Sequence, residues 1–137
     1  MNNKLLLAHM GLCFFMTGLI WTIQLVHYPT FRYVDSIKFT DFSLFNARSI
    51  TPITALPMIL EFLTGALLLY YFRNALSAVN FAFILLIWIS TFFLSVPIHN
   101  QLAMARDEAL IEKLILTNWP RTILWTLRSG LLLWMLK

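Results

Sequence analysis

TPITALPMILEFLTGALLLYYF, running from Thr51 to Phe72, carries one charged side chain, Glu61, in an otherwise uncharged and largely apolar run. At ~1.5 Å of rise per residue it is long enough to cross ~30 Å of hydrocarbon as a helix. A carboxylate in the middle of such a helix costs ~2.5–3.5 kcal/mol on insertion scales, so Glu61 has to be protonated, paired, or turned toward a wet pocket. Finding its partner organises the reading of the remaining chain.

Composition fixes the class of protein. Of 137 residues, 60% are hydrophobic and 12% charged, and the mean hydropathy is +0.77. Soluble domains carry about 25% charged residues, so this is an integral membrane protein. Four crossings of ~20 residues consume well over half the chain and leave no room for a second domain. The expected fold is all-α: a four-transmembrane-helix bundle with spans at about 5–28, 52–72, 76–98 and 119–136, and short interfacial helices in the first and third loops. Cys13 stands alone, which rules out a disulfide framework or a CxxC site within the chain. The net charge of +4 is spread over span ends, where Lys and Arg anchor in lipid headgroups, and no basic cluster points to nucleic acid.

LLLAHMGLCFFMTGLIWTIQLV opens the first span, too long an apolar run for a cleaved signal peptide and without a convincing cleavage site. Pro29 disfavours helix in the residue before it, so the span is expected to end at Tyr28. Gln24 and His27 share a face in its last turn. His9 lies ~27 Å from His27 along the axis and is therefore set apart from that site. Phe39, Phe42 and Phe45 recur among Lys38, Asp41 and Arg48, as in a helix lying on the membrane surface. Thr51-Pro52 reads as the start of span two, with Pro57 inside it and Gly65 one turn beyond Glu61. In span three, Trp88, Phe92, Ser95 and His99 share a face, and Pro97 bends or ends the helix. Gln101 to Leu116 is amphipathic. Asn118-Trp119-Pro120 reads as a cap and first turn for span four, along which Arg121, Trp125 and Arg128 lie on one face.

With helices running up and down, His27, His99, Asn100, Asn118 and Arg121 gather at one mouth, and Glu61 and Arg128 are expected beneath it at similar depth. Glu61 and Arg128 read either as a structural ion pair or as working groups. The two histidines, with Glu61 as a third donor, are the candidates for ligating haem or a transition metal. Gln24, Asn100, Asn118, Arg121, Trp125 and Arg128 are the candidates for holding a small hydrophobic molecule with an anionic group. Counting Lys and Arg places the mouth in the cytoplasm.

VHYPTF after span one, Glu61 in span two, VPIHNQL after span three and TNWPRTILWTLR opening span four resemble a family of small uncharacterised bacterial four-helix membrane proteins. These are in turn similar, in architecture and a few polar positions, to anthrone-oxygenase-like membrane proteins. The resemblance implies a multi-pass protein of the bacterial inner membrane with an oxidoreductase role, in which His27, His99 and Glu61 act as ligands or acid/base groups. Two other classes stand beside it: an accessory or binding protein whose ion pair fixes helix packing, and a transporter, which needs homo-oligomerisation because the His9 half offers no polar lining.

Overall fold

Residues 2–136 are described by the computed structural model, and in it they form a bundle of four long helices. We number these α1 (Asn3–Tyr33), α2 (Phe39–Phe72), α3 (Ala75–Leu102) and α4 (Glu108–Trp134). The first three are long and apolar enough to cross a membrane. In α4 the two deep arginines, Arg121 and Arg128, are 6% and 0% exposed, so its charge is turned into the bundle. Helix α1 packs on α2 and α4, and α3 packs on the same two, closing a square.

The bundle encloses polar clusters within an apolar core and turns an apolar surface outward. His9, Gln24, Glu61, Asn80, Asn118 and Arg128 are buried, whereas Leu7, Phe15, Val26, Leu56, Leu63 and Phe93 are exposed. Water would reverse that arrangement, since exposed apolar area is what folding removes. Hydrocarbon permits it, because lipid-facing Leu and Phe lose nothing and polar groups must find partners within the protein. The protein is therefore a membrane protein.

Four helix ends depart from the sequence reading. Helix α1 does not stop at Tyr28 but runs through Pro29, and α3 likewise runs through Pro97. In both, a π-helical turn precedes the proline by the same spacing: Ile23–His27 before Pro29, and Thr91–Ser95 before Pro97. Proline cannot donate to the carbonyl four residues back and its ring crowds it. The wider turn removes that conflict: the Tyr28 amide reaches Ile23 O and the Val96 amide reaches Thr91 O, each one residue farther than in an α-helix. The segment expected to lie on the membrane surface is instead the first part of α2, continuous through Pro52 and Pro57, with Phe39 fully buried against Phe31. The amphipathic segment expected over Gln101 to Leu116 is divided: Gln101 and Leu102 end α3, a turn follows, and Glu108 onward is the first part of α4. Its cap is Asp107, which accepts from the Leu110 amide, and Asn118 is an interior helical residue rather than a cap. The segments expected as interfacial helices are thus continuous with the first parts of α2 and α4.

The α2–α3 turn follows its sequence. Arg73 adopts the left-handed conformation (φ 48°) that ends a helix, and Asn74 and Ser77 form a reciprocal capping box. At the opposite end, Arg32 donates twice to Glu112 at 2.6 Å, tying α1 to α4 and holding the Glu112 carboxyl below its usual range. Because the folded state lowers this affinity for protons, the pair contributes above the ordinary carboxylate range and its contribution is lost as pH falls through the lowered value. Both side chains are about half exposed, so the effect is small and screened by salt. Glu112→Gln is expected to lower the thermal midpoint slightly at neutral pH, and the gap from the wild type should close in acid.

Gly65 sets the approach of α2 to α3 and α1. A Cβ there would lie 2.5 Å from Ile84 Cδ1 and 3.3 Å from His9 Cε1. Gly65→Ala is expected to destabilise the bundle by ~1–3 kcal/mol, and adding Ile84→Val, which deletes the obstructing atom, should recover part of that loss in detergent melting curves.

Candidate functional site

Two polar clusters occupy the bundle, one above the other. The first joins all four helices. Arg128 on α4 donates through Nη1 to Glu61 Oε1 on α2 at 3.0 Å, through Nε to Asn80 Oδ1 on α3 at 3.1 Å, and through Nη2 to His9 Nε2 on α1 at 3.2 Å. Trp125 Nε1 donates to the other Glu61 oxygen at 2.9 Å. Asn80 Nδ2 also donates to His9 Nε2, at 3.1 Å, so that nitrogen is an acceptor and the imidazole proton sits on Nδ1. From there it donates to Thr64 Oγ1 at 2.6 Å, and Thr64 passes its own proton to Leu60 O at 2.7 Å.

This corrects two expectations. His9 belongs to the Glu61–Arg128 site. The cluster also lies in the half of the bundle nearer the chain termini: His9 and Arg128 are each ~9 Å by helical rise from the helix ends at Asn3 and Trp134. Glu61 and Arg128 do lie at one depth, as expected, and His9 of the neighbouring α1 lies at that depth too. Asn80 and Thr64 escaped notice altogether, although Asn80 is the one amide between Asn74 and Pro97.

The second cluster lies ~10 Å higher along α4. Arg121 donates through Nη2 to Asn118 Oδ1 in a short bond and to Tyr28 OH at 3.3 Å, and through Nη1 to Thr91 Oγ1 at 3.4 Å. Since Tyr28 OH accepts from Arg121, its proton is free to go to His99 Nε2, 3.1 Å away. Asn118 Nδ2 in turn donates to Gln24 Oε1 at 2.8 Å, and Gln24 Nε2 donates to Ile115 O at 3.1 Å. Among the described residues Arg121 has no carboxylate partner, and its buried Nε finds no acceptor.

Beside this cluster is a cavity of about 380 Å³. Met16, Ile20, Ala55, Met58 and Trp88 make its walls apolar, and Tyr28, Thr91, Ser95, His99, Arg121 and Trp125 form its polar side. Trp88, Phe92, Ser95 and His99, the face read from sequence, all line it. Both π-turns border it, a position in which such turns recur at functional sites. Exposed residues of α2 and α3, including Ile59 (46%) and Phe92 (56%), stand at its rim. A shallower groove lined by Ile59, Phe62 and Trp88 adjoins them, giving an apolar track from the lipid-facing surface inward.

Of the candidate residues, His99, Arg121 and Trp125 line the cavity. Gln24 and Asn118 stand behind it, bracing α1 against α4, and Glu61 and Arg128 belong to the lower cluster. His27 is half-buried, its ring against Tyr28 and Phe31, and Asn100 is exposed. The haem or metal set of His27, His99 and Glu61 is not brought together: Glu61 is held by Arg128 and Trp125, and His99 Nε2 by Tyr28. Among the described residues no three His, Cys, Asp or Glu side chains converge as ligands. Tyr28 and Thr91 were missed, although Tyr28 lies inside VHYPTF.

No protein-family model matches the chain, and no curated protein or solved structure shows significant similarity to it.

Removing one partner from a buried ion pair leaves a bare charge, at a cost of ~3–5 kcal/mol. Glu61→Gln and Arg128→Gln are each expected to lose most folded protein in detergent size-exclusion profiles. The double variant should regain it, because amides can occupy both sides of the hydrogen-bond network.

Proposed function

We propose that the protein is a membrane-embedded binding protein for a small lipophilic molecule that enters sideways from the bilayer, between α2 and α3. The observation that carries this reading is the cavity itself. Its volume falls in the range of small-molecule sites of ~300–1,000 Å³, its walls are apolar, a few polar groups converge on one side, and its rim faces lipid. The lower cluster is self-satisfied and gives the bundle a fixed frame on which such a cavity can stay open. A helical bundle of this kind suits the bacterial inner membrane.

A catalytic reading, the one the anthrone-oxygenase likeness implies, draws on the same cavity. The Tyr28 hydroxyl, hydrogen-bonded to both Arg121 and His99 at the cavity wall, is placed to exchange a proton with a bound molecule and pass it to His99.

Tryptophans Trp88 and Trp125 line the cavity, so an ω-bromo alkanol of medium chain length should quench tryptophan fluorescence saturably in the detergent-purified protein. Ala55→Phe, which fills the cavity from α2, should abolish the saturable part. Quenching that is linear in ligand, or saturable but indifferent to Ala55→Phe, would contradict the reading.

A further inference from the structure

The two deep arginines of α4 differ in what surrounds them. Arg128, equally buried, has a carboxylate, a histidine and an amide around it. Arg121 is 6% exposed and, among the described residues, is met by the neutral oxygens of Asn118, Tyr28 and Thr91. A guanidinium offers five N–H donors and remains charged at any pH a protein meets. Each arginine makes three such bonds, but every nitrogen of Arg128 has a partner, whereas the buried Nε–H of Arg121 finds no acceptor among the described residues. Ser95 Oγ, also buried and also on the cavity lining, has no partner either. A buried cation without a counter-ion is costly in hydrocarbon, where charges are paired or face a polar cavity.

We infer that the counter-ion is the ligand's own: the cavity selects a single-chain lipophilic acid, whose anionic head group docks on Arg121 beside Ser95 and Tyr28 while its hydrocarbon lies along Met58, Ala55 and Trp88 toward the α2–α3 opening. The inference rests on the binding reading above and adds the class of ligand. The size of the cavity excludes a two-chain phospholipid as a whole occupant and suits one chain. A carboxylate fits the geometry because a guanidinium holds carboxylates through charge-assisted hydrogen bonds roughly twice as strong as neutral ones. Helix α4 supplies the charge, α1 and α3 supply the hydroxyls, and α2 supplies an apolar wall, so the acid would be recognised at one end only. Chain identity would matter less than the head group.

The test compares an ω-bromo fatty acid with the ω-bromo alcohol of equal length, at a pH where the acid is ionised, by tryptophan quenching in the full-length protein. The acid is expected to bind the wild type at least ~10-fold more tightly, the equivalent of one charge-assisted hydrogen bond. In Arg121→Gln the advantage of the acid over the alcohol should disappear. Arg121→Lys should keep part of it, which covers the case in which the neutral variant does not fold. Equal binding of acid and alcohol by the wild type would overturn the inference and leave the cavity reading standing. A preference for the acid that survives in folded Arg121→Gln would overturn it as well. Saturable binding of neither molecule would remove both.

Discussion

The ion pair between Arg128 and Glu61 is the contact on which the bundle depends. In hydrocarbon neither charge can be left to solvent, so the helices that carry them, α4 and α2, are committed to one register. The remaining valences extend that commitment. Arg128 has bonds left for His9 and Asn80, and Glu61 has an oxygen left for Trp125. A residue from every helix is therefore fixed by one guanidinium and one carboxylate. Individual interhelical hydrogen bonds in membranes average only ~0.6 kcal/mol, and small-residue contacts such as Gly65 add close packing. The ion pair sets which arrangement those smaller terms reinforce.

That frame separates two arginines of similar burial and different chemistry. Arg128 is closed on all sides by protein groups, and nothing about it invites a ligand. Arg121, two turns along the same helix, stands beside a cavity with neutral partners and no counter-ion among the described residues. The prolines contribute to the difference. Pro29 and Pro97 each follow a π-turn, and Tyr28, Thr91 and Ser95, carried by or adjoining those turns, join His99 and Arg121 on the polar side of the cavity. Helix irregularity and binding chemistry thus share a location for a physical reason: a wide turn leaves backbone and side chains less completely packed.

Much of this was legible in the residues. The helical class, the membrane setting, the pairing of Glu61 with Arg128 and the cavity face of α3 all follow from composition, the insertion cost of charge, and helical spacing. The helix ends did not follow, because a proline is normally read as a boundary and the π-turn that accommodates it has no local sequence signature. His9 was set apart by counting rise along α1, an argument that holds for His27 but not for Arg128, which lies on the neighbouring α4 within hydrogen-bond reach of it. Tyr28 and Thr91 were passed over because a hydroxyl near a span end is common, and only the three-dimensional arrangement shows that both meet Arg121. The expected metal set failed on geometry: depth placed Glu61 under the mouth, whereas its oxygens face Arg128 and Trp125.

The most direct measurement is a crystal structure of the protein soaked with an ω-bromo fatty acid, with the bromine located by its anomalous signal. The account predicts a bromine peak near the α2–α3 rim, by Ile59 and Phe92, with chain density running inward to a head group on Arg121. Bromine found only on the outer surface of the bundle, with the cavity beside Arg121 closed by protein side chains, would contradict it.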